Sequence, residues 1–129
     1  MDRILLSDET LDLVGLEAEL SGGERGAVVS FQGRVRETEG TLKLRGIDYE
    51  AYAAMAEKKL AELLKEAHGR WPEFDAVVAH RKGVVEVGEC AVYIGVATAH
   101  RVEAFTICHW LIDELKARVP IFKREHLPR

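Results

Sequence analysis

The chain is predicted to be an α+β domain with a largely antiparallel sheet and about three helices, residues 1–129 forming one domain. Three observations predict this. The β-rich segments mostly follow one another, whereas a parallel sheet would need helices between them. Two long stretches carry the three-and-four apolar spacing of a helix face, and a third is framed by helix start and stop residues. Finally, 129 residues at 47% hydrophobic and 31% charged can bury a real core without metal or disulfide staples.

Taken in order, a short strand is expected over Arg3–Leu6. Ser7 then resembles an N-cap, with Asp8 and Glu9 in the first turn, where acids suit the helix dipole. That helix would run to about Glu19, and Ser21-Gly22-Gly23 would end it. Gly26–Gln32 reads as a strand, Gly33–Gly40 as a polar loop carrying Arg34 and Arg36, and Thr41–Glu50 as a second strand. Tyr52–His68 is the clearest helix: Tyr52, Met55, Ala56, Leu60, Leu63, Leu64 and Ala67 fall on one face. Gly69 would close it, and Trp71-Pro72 would change direction.

Asp75–His80 is the next strand, Lys82-Gly83 a turn, Val84–Val87 a short strand and Gly88-Glu89 another turn. Cys90–Ala97 is the most apolar strand. The last helix would begin near Thr98–His100 and bury Ala104, Phe105, Cys108, Leu111, Ile112 and Leu115 before Pro120 stops it after Arg118. The expected order is β-α-β-β-α-β-β-β-α.

Charge narrows the function classes. The net charge of −4 and pI of about 5.7 disfavour a dedicated nucleic-acid binder. No apolar run approaches the roughly 20 residues that span a bilayer, and the N-terminus turns acidic at once, unlike a signal peptide. Cys90 and Cys108 form no C-x-x-C pair, so a cytoplasmic location is expected and both are read as small buried hydrophobes. The five histidines lack metal-ligand spacing, so no metal is expected. The balance is uneven. Residues 1–100 carry 12 Lys and Arg against 18 Asp and Glu, whereas residues 101–129 carry 6 against 4. The relatively basic C-terminal part hints at an anion site.

Candidate site residues follow from position. His100 and Arg101 stand where an apolar strand meets a helix start, and free N–H groups there attract anions. A cation in that first turn suits the dipole only if something negative lies nearby, although a surface carboxylate could serve as well as a ligand. Lys116 and Arg118 at the helix end are ordinary dipole partners, and Lys123 follows Pro120. Arg36 could clamp a phosphate or merely be solvated. From the residues alone, these groups outline an anion site without specifying a reaction.

Several blocks, in order, carry a resemblance. They are Gly26–Arg36, Asp48–Tyr52 with Met55–Lys58, Arg70-Trp71-Pro72, His80-Arg81 with Gly83, Val96–Arg101 with Ala104-Phe105, and Leu115–Glu125. Together they resemble the large subunit of molybdopterin synthase, the MoaE family, across roughly residues 26–126. The resemblance implies an α/β-hammerhead-like fold and a sulfurtransferase that needs no cofactor. It implies a homodimer within a heterotetramer, each copy holding a small ubiquitin-like sulfur-carrier subunit of the MoaD type. That partner's C-terminal thiocarboxylate would give sulfur to cyclic pyranopterin monophosphate, forming the molybdopterin dithiolene. By the same resemblance Lys116 and Lys123 are the active-site lysines, and Arg36, His100 and Arg101 contact the pterin and its phosphate. A second reading is a non-catalytic homologue that only binds the small subunit or a pterin.

Overall fold

A computed structural model of the protein describes residues 1–71 and 73–129. In chain order the elements are β1 (Asp2–Ser7), α1 (Leu13–Ala18), β2 (Ala27–Arg34), β3 (Thr38–Glu39), β4 (Leu42–Ala51), α2 (Ala53–Arg70), β5 (Phe74–Arg81), β6 (Gly83–Glu86), β7 (Cys90–Thr98), α3 (Arg101–Arg118) and β8 (Ile121–Pro128). The α+β class holds. Among the described residues the strands pair antiparallel except β1 against β5, which is parallel.

One sheet runs β1-β5-β7-β2. Its two central strands read as near-continuous apolar runs because both faces are covered. Ala76 and Val78 of β5, with Ile94 and Val96 of β7, pack against α2 and α3 through Leu60, Leu64, Ile107 and Leu111. The alternate residues Val77, Ala79, Tyr93 and Ala97 meet Leu16 and Leu20 on the α1 side. Each fully buried Leu or Ile stabilises the fold by about 2 kcal/mol. On that second face Gly95 permits close approach: a Cβ there would stand 2.6 Å from Leu20 Cδ1 and 2.8 Å from Tyr93 Oη.

The second sheet is organised around β4, which pairs with β3, β6 and β8. A smaller core of Val35, Leu44, Ile47, Val85 and Ala91 ties it to the start of β7. No helix among the described residues is long and apolar enough to cross a membrane.

Several features depart from the sequence expectation. Phe105, expected on the buried face of the last helix, is 62% exposed, and Tyr52 and Met55, expected on the apolar face of the second, are 59% and 49% exposed. Ser7 is not a helix cap. It registers with Arg81 in the β1–β5 pair, and its carbonyl accepts from the Lys82 N–H. Its hydroxyl instead accepts from the Glu9 N–H at 3.0 Å. The helix starts at Leu13, capped by Asp12, whose carboxylate accepts from the Gly15 N–H at 3.0 Å.

The second helix does not close at Gly69 but continues to Arg70, with Trp71 extended at φ −134° and ψ 96°. A following proline disfavours helical backbone at Trp71. Pro72 itself, where the change of direction is expected, lies outside the described residues. The short β3, Thr38–Glu39, falls within the segment expected to be a polar loop. Most consequential, the segment after Pro120 is a strand, β8, paired along most of β4.

Candidate active site

The end of β2, the segment after it, β4, the start of β7, the last turn of α3 and β8 together enclose a cavity of about 760 Å³. Its cationic wall is Arg34, Arg36, Lys116 and Lys123, and no Asp or Glu is among the described residues lining it. Arg36 is partly offset by Glu39 at 3.5 Å, but the like charges around one cavity repel one another, and a bound anion would relieve that repulsion. Phe31, Val92, Ile112, Leu115 and Ile121 give it an apolar floor. Such a pocket suits a ligand with a flat apolar body and at least one negative end.

Each cation has a structural reason for its place. Lys116 is in the last turn of α3, and that end of the helix is fastened to α2 by Arg118, whose Nη2 donates to Glu66 at 2.7 Å. The Arg118 hydrogen bond, more than the opposing burial, holds the Glu66 carboxyl below its ordinary range. Lys123 is delivered by β8, opposite Tyr49 of β4. Arg36 lies two residues past the end of β2 and 3.5 Å from Glu39. Arg34 Nη2 donates to Gln32 Oε1 at 3.4 Å.

Two polar side chains on the wall are held neutral. His80 is 6% exposed, and Tyr49 packs edge-on to its ring with centroids 5.3 Å apart. Burial pushes the His80 pKa down against the opposing hydrogen bond to the Arg81 carbonyl. Burial, then the Glu39 charge, push Tyr49 up, so it stays a phenol. Neither cysteine offers a thiolate. Burial pushes Cys108 up to about 11, and raises Cys90 despite the nearby Arg34. Among the described residues no three His, Cys, Asp or Glu side chains gather as a metal site would need.

Of the five site residues predicted, one chain brings together Arg36, Lys116 and Lys123. It does not bring His100 and Arg101 to them. Those two stand at the opposite end of α3. At 1.5 Å rise per residue, Arg101 and Lys116 are about 22 Å apart along the axis. His100 lines a separate cavity of about 210 Å³ with Arg70, Trp71 and Glu103. Arg101 opens α3, and Glu103 supplies the acid in that first turn.

His80 and Tyr49 join the wall without having been expected there from the sequence. Their signal was weak: one histidine ending an apolar strand, and one tyrosine on the parity opposite Leu42 and Leu44.

Comparison with known proteins agrees with this architecture. The family model described as MoaE protein matches residues 6–118. The molybdopterin synthase catalytic subunit of Pyrococcus abyssi is 43% identical over 108 residues, covering 84% of this chain and 73% of that one. The crystal structure of molybdopterin synthase from Staphylococcus aureus superposes with a TM-score of 0.85 at 34% identity, over 92% of this chain and 85% of that one. A complex of subunits 1 and 2 of molybdopterin-converting factor from Helicobacter pylori shares the fold, with a TM-score of 0.78 at 19% identity over 97% and 88% of the chains. With most of its length matched, this chain belongs to the MoaE family.

Proposed function

We propose that this chain is the catalytic subunit of a molybdopterin synthase. It transfers sulfur from the C-terminal thiocarboxylate of a small ubiquitin-like subunit to cyclic pyranopterin monophosphate, forming the dithiolene. The observation that carries this reading is the convergence of Arg36, Lys116 and Lys123 on one cavity without a lining carboxylate. Both reactants are anionic, one a thiocarboxylate and the other a phosphate ester. A pocket with donor-only cations stabilises each and holds the two close enough to react.

In this reading Lys116 and Lys123 neutralise the thiocarboxylate. They also hold the proton that must move as water replaces the departing sulfur and the tail ends as a carboxylate. Arg36 holds the phosphate. His100 and Arg101 reach a substrate only from a second copy of the chain, because about 22 Å of helix separates them from Lys116 in their own. A homodimer, with one small subunit on each copy, accommodates all five residues. The names borne by the relatives, a catalytic subunit and a complex of two subunits, fit such an assembly. A cytoplasmic location suits two free cysteines.

Reconstitution tests the proposal. This protein is mixed with thiocarboxylated small subunit and cyclic pyranopterin monophosphate, and molybdopterin is followed through its fluorescent oxidation product. Product that requires all three components supports the synthase. Binding of the small subunit without product would instead leave a non-catalytic homologue.

A further inference from the structure

Among the described residues His80 is the one buried histidine, and it stands next to last in β5, on the cavity wall. Its ring is fixed twice. Tyr49 packs edge-on at 5.3 Å, and Nδ1 lies 2.6 Å from the Arg81 carbonyl oxygen. A carbonyl can only accept, so Nδ1 carries the hydrogen and Nε2 of the neutral ring carries a lone pair. Burial favours that neutral form. The one hydrogen bond of the ring among the described residues is made by Nδ1, which leaves Nε2 without a partner there.

The rest of the polar wall makes this lone pair unusual. Arg34, Arg36, Lys116 and Lys123 can only donate. Gln32 Oε1 already accepts from Arg34 at 3.4 Å. Tyr49 has a hydroxyl that can serve either way, and a thiocarboxylate or phosphate would occupy the cations. A substrate with N–H donors at its other end therefore needs an acceptor that the cations cannot supply. His80 provides one, already oriented, at little cost in side-chain ordering.

We propose that His80 Nε2 accepts a hydrogen bond from an N–H of the pterin ring, orienting the substrate so that its sulfur-accepting carbons face Lys116 and Lys123. This rests on the synthase reading and adds a substrate-binding residue to it. No bond is made or broken at His80, and its proton stays on Nδ1.

The test is steady-state kinetics of the reconstituted enzyme with two variants. His80→Phe keeps a flat ring and loses the acceptor. His80→Gln keeps an acceptor near the Nε2 position. The expected result is a KM for the pterin raised about tenfold or more in His80→Phe, the size of one lost hydrogen bond in a desolvated site. The small subunit's Kd should be unchanged, and His80→Gln should recover at least part of the loss. A KM within twofold of wild type in His80→Phe overturns the proposal. Equal losses in both variants, with a lowered Tm, also overturn it, because packing alone would behave that way. Should His80→Phe fail to fold, nitrogen NMR of the wild-type imidazole replaces it. An Nε2 shift on adding the pterin supports the contact, and an unmoved resonance sinks it. Wild-type product with an indifferent His80→Phe removes only the role of His80; no product from wild type overturns the synthase reading as well.

Discussion

Lys123 of β8 sits directly opposite Tyr49 of β4 in the antiparallel register, and that pairing places the lysine on the cavity wall. Side chains alternate faces along a strand, so the register decides whether Lys123 faces the cavity.

Two variants follow from this relationship. Lys123→Ala should lower sulfur transfer at least about a hundredfold, as expected for loss of a group that moves a proton or stabilises developing charge. Lys116→Ala should do the same from the α3 side. Deletion of Phe122 should reproduce the Lys123→Ala defect while leaving the residue present, because shifting β8 by one residue turns Lys123 away. Turnover, with circular dichroism to confirm folding, checks all three. Wild-type turnover in Lys116→Ala or Lys123→Ala would remove that lysine from the mechanism.

Gly95 offers a test of the fold on the opposite side of the sheet. In Gly95→Ala the new methyl would crowd Leu20 Cδ1 and Tyr93 Oη, at 2.6 Å and 2.8 Å. Leu20, just past α1, and Tyr93 are each 2% exposed, so both side chains would have to shift inside a packed core. The expected loss is about 1–3 kcal/mol in urea denaturation. Because α1 does not line the cavity, kcat should stay within about twofold at a temperature where the variant is folded.

These residues also show how far the sequence was legible. Lys116 and Arg36 could be placed near their element ends from helix spacing and glycine punctuation alone. Lys123 could be placed only by resemblance, because β8 has no apolar alternation: Ile121 is half-buried and the next four residues are exposed. Its order comes from hydrogen bonds to β4, which a local pattern does not record. His80 was hidden for the opposite reason. β5 is buried on both faces, so the strand shows no alternation to mark which residue leaves the core for the cavity. The separation of Arg101 from Lys116 was implicit in an 18-residue helix. What a single chain cannot encode locally is which copy those residues serve.

Cysteine chemistry should be dispensable. Burial holds both thiols protonated, Cys108 with a pKa of about 11, and neither lines the cavity. Cys90→Ser should keep turnover within about twofold, and iodoacetamide at pH 8 should label the native protein far more slowly than the unfolded chain. Rapid labelling with loss of activity would point to a sulfur-bearing cysteine intermediate.

The buried imidazole makes stability depend on pH in a defined direction. The His80 pKa is lowered in the folded protein, so the unfolded chain binds the extra proton first. Stability from this group is fully present above the unfolded value of 6.5 and is lost as pH falls below it toward the folded value. Urea midpoints measured from pH 8 down to pH 5 should therefore fall more steeply for wild type than for His80→Gln. Asp75 also favours low-pH unfolding: burial raises its pKa, but bonds from the N-terminal amine and Arg25 more than offset this. That contribution lies at and below its ordinary value of 3.8, outside the pH 8 to 5 range of this measurement. Parallel slopes for wild type and His80→Gln would mean the imidazole is charged in the folded protein.

Mixed dimers decide whether His100 and Arg101 act across an interface. Lys116→Ala and Arg101→Ala chains, each impaired alone, are co-expressed with different tags, and the mixed dimer is purified. If each cavity takes Arg101 from the other copy, one cavity of the mixed dimer has lost both groups and the other has lost neither. Activity should then return to about half of wild type per dimer. If Arg101 serves the cavity of its own chain, each cavity lacks one group and no activity returns. The second outcome would require the roughly 22 Å between Arg101 and Lys116 to be bridged within one chain, which a straight α3 does not allow. Full turnover in Arg101→Ala alone would take that residue out of the site altogether.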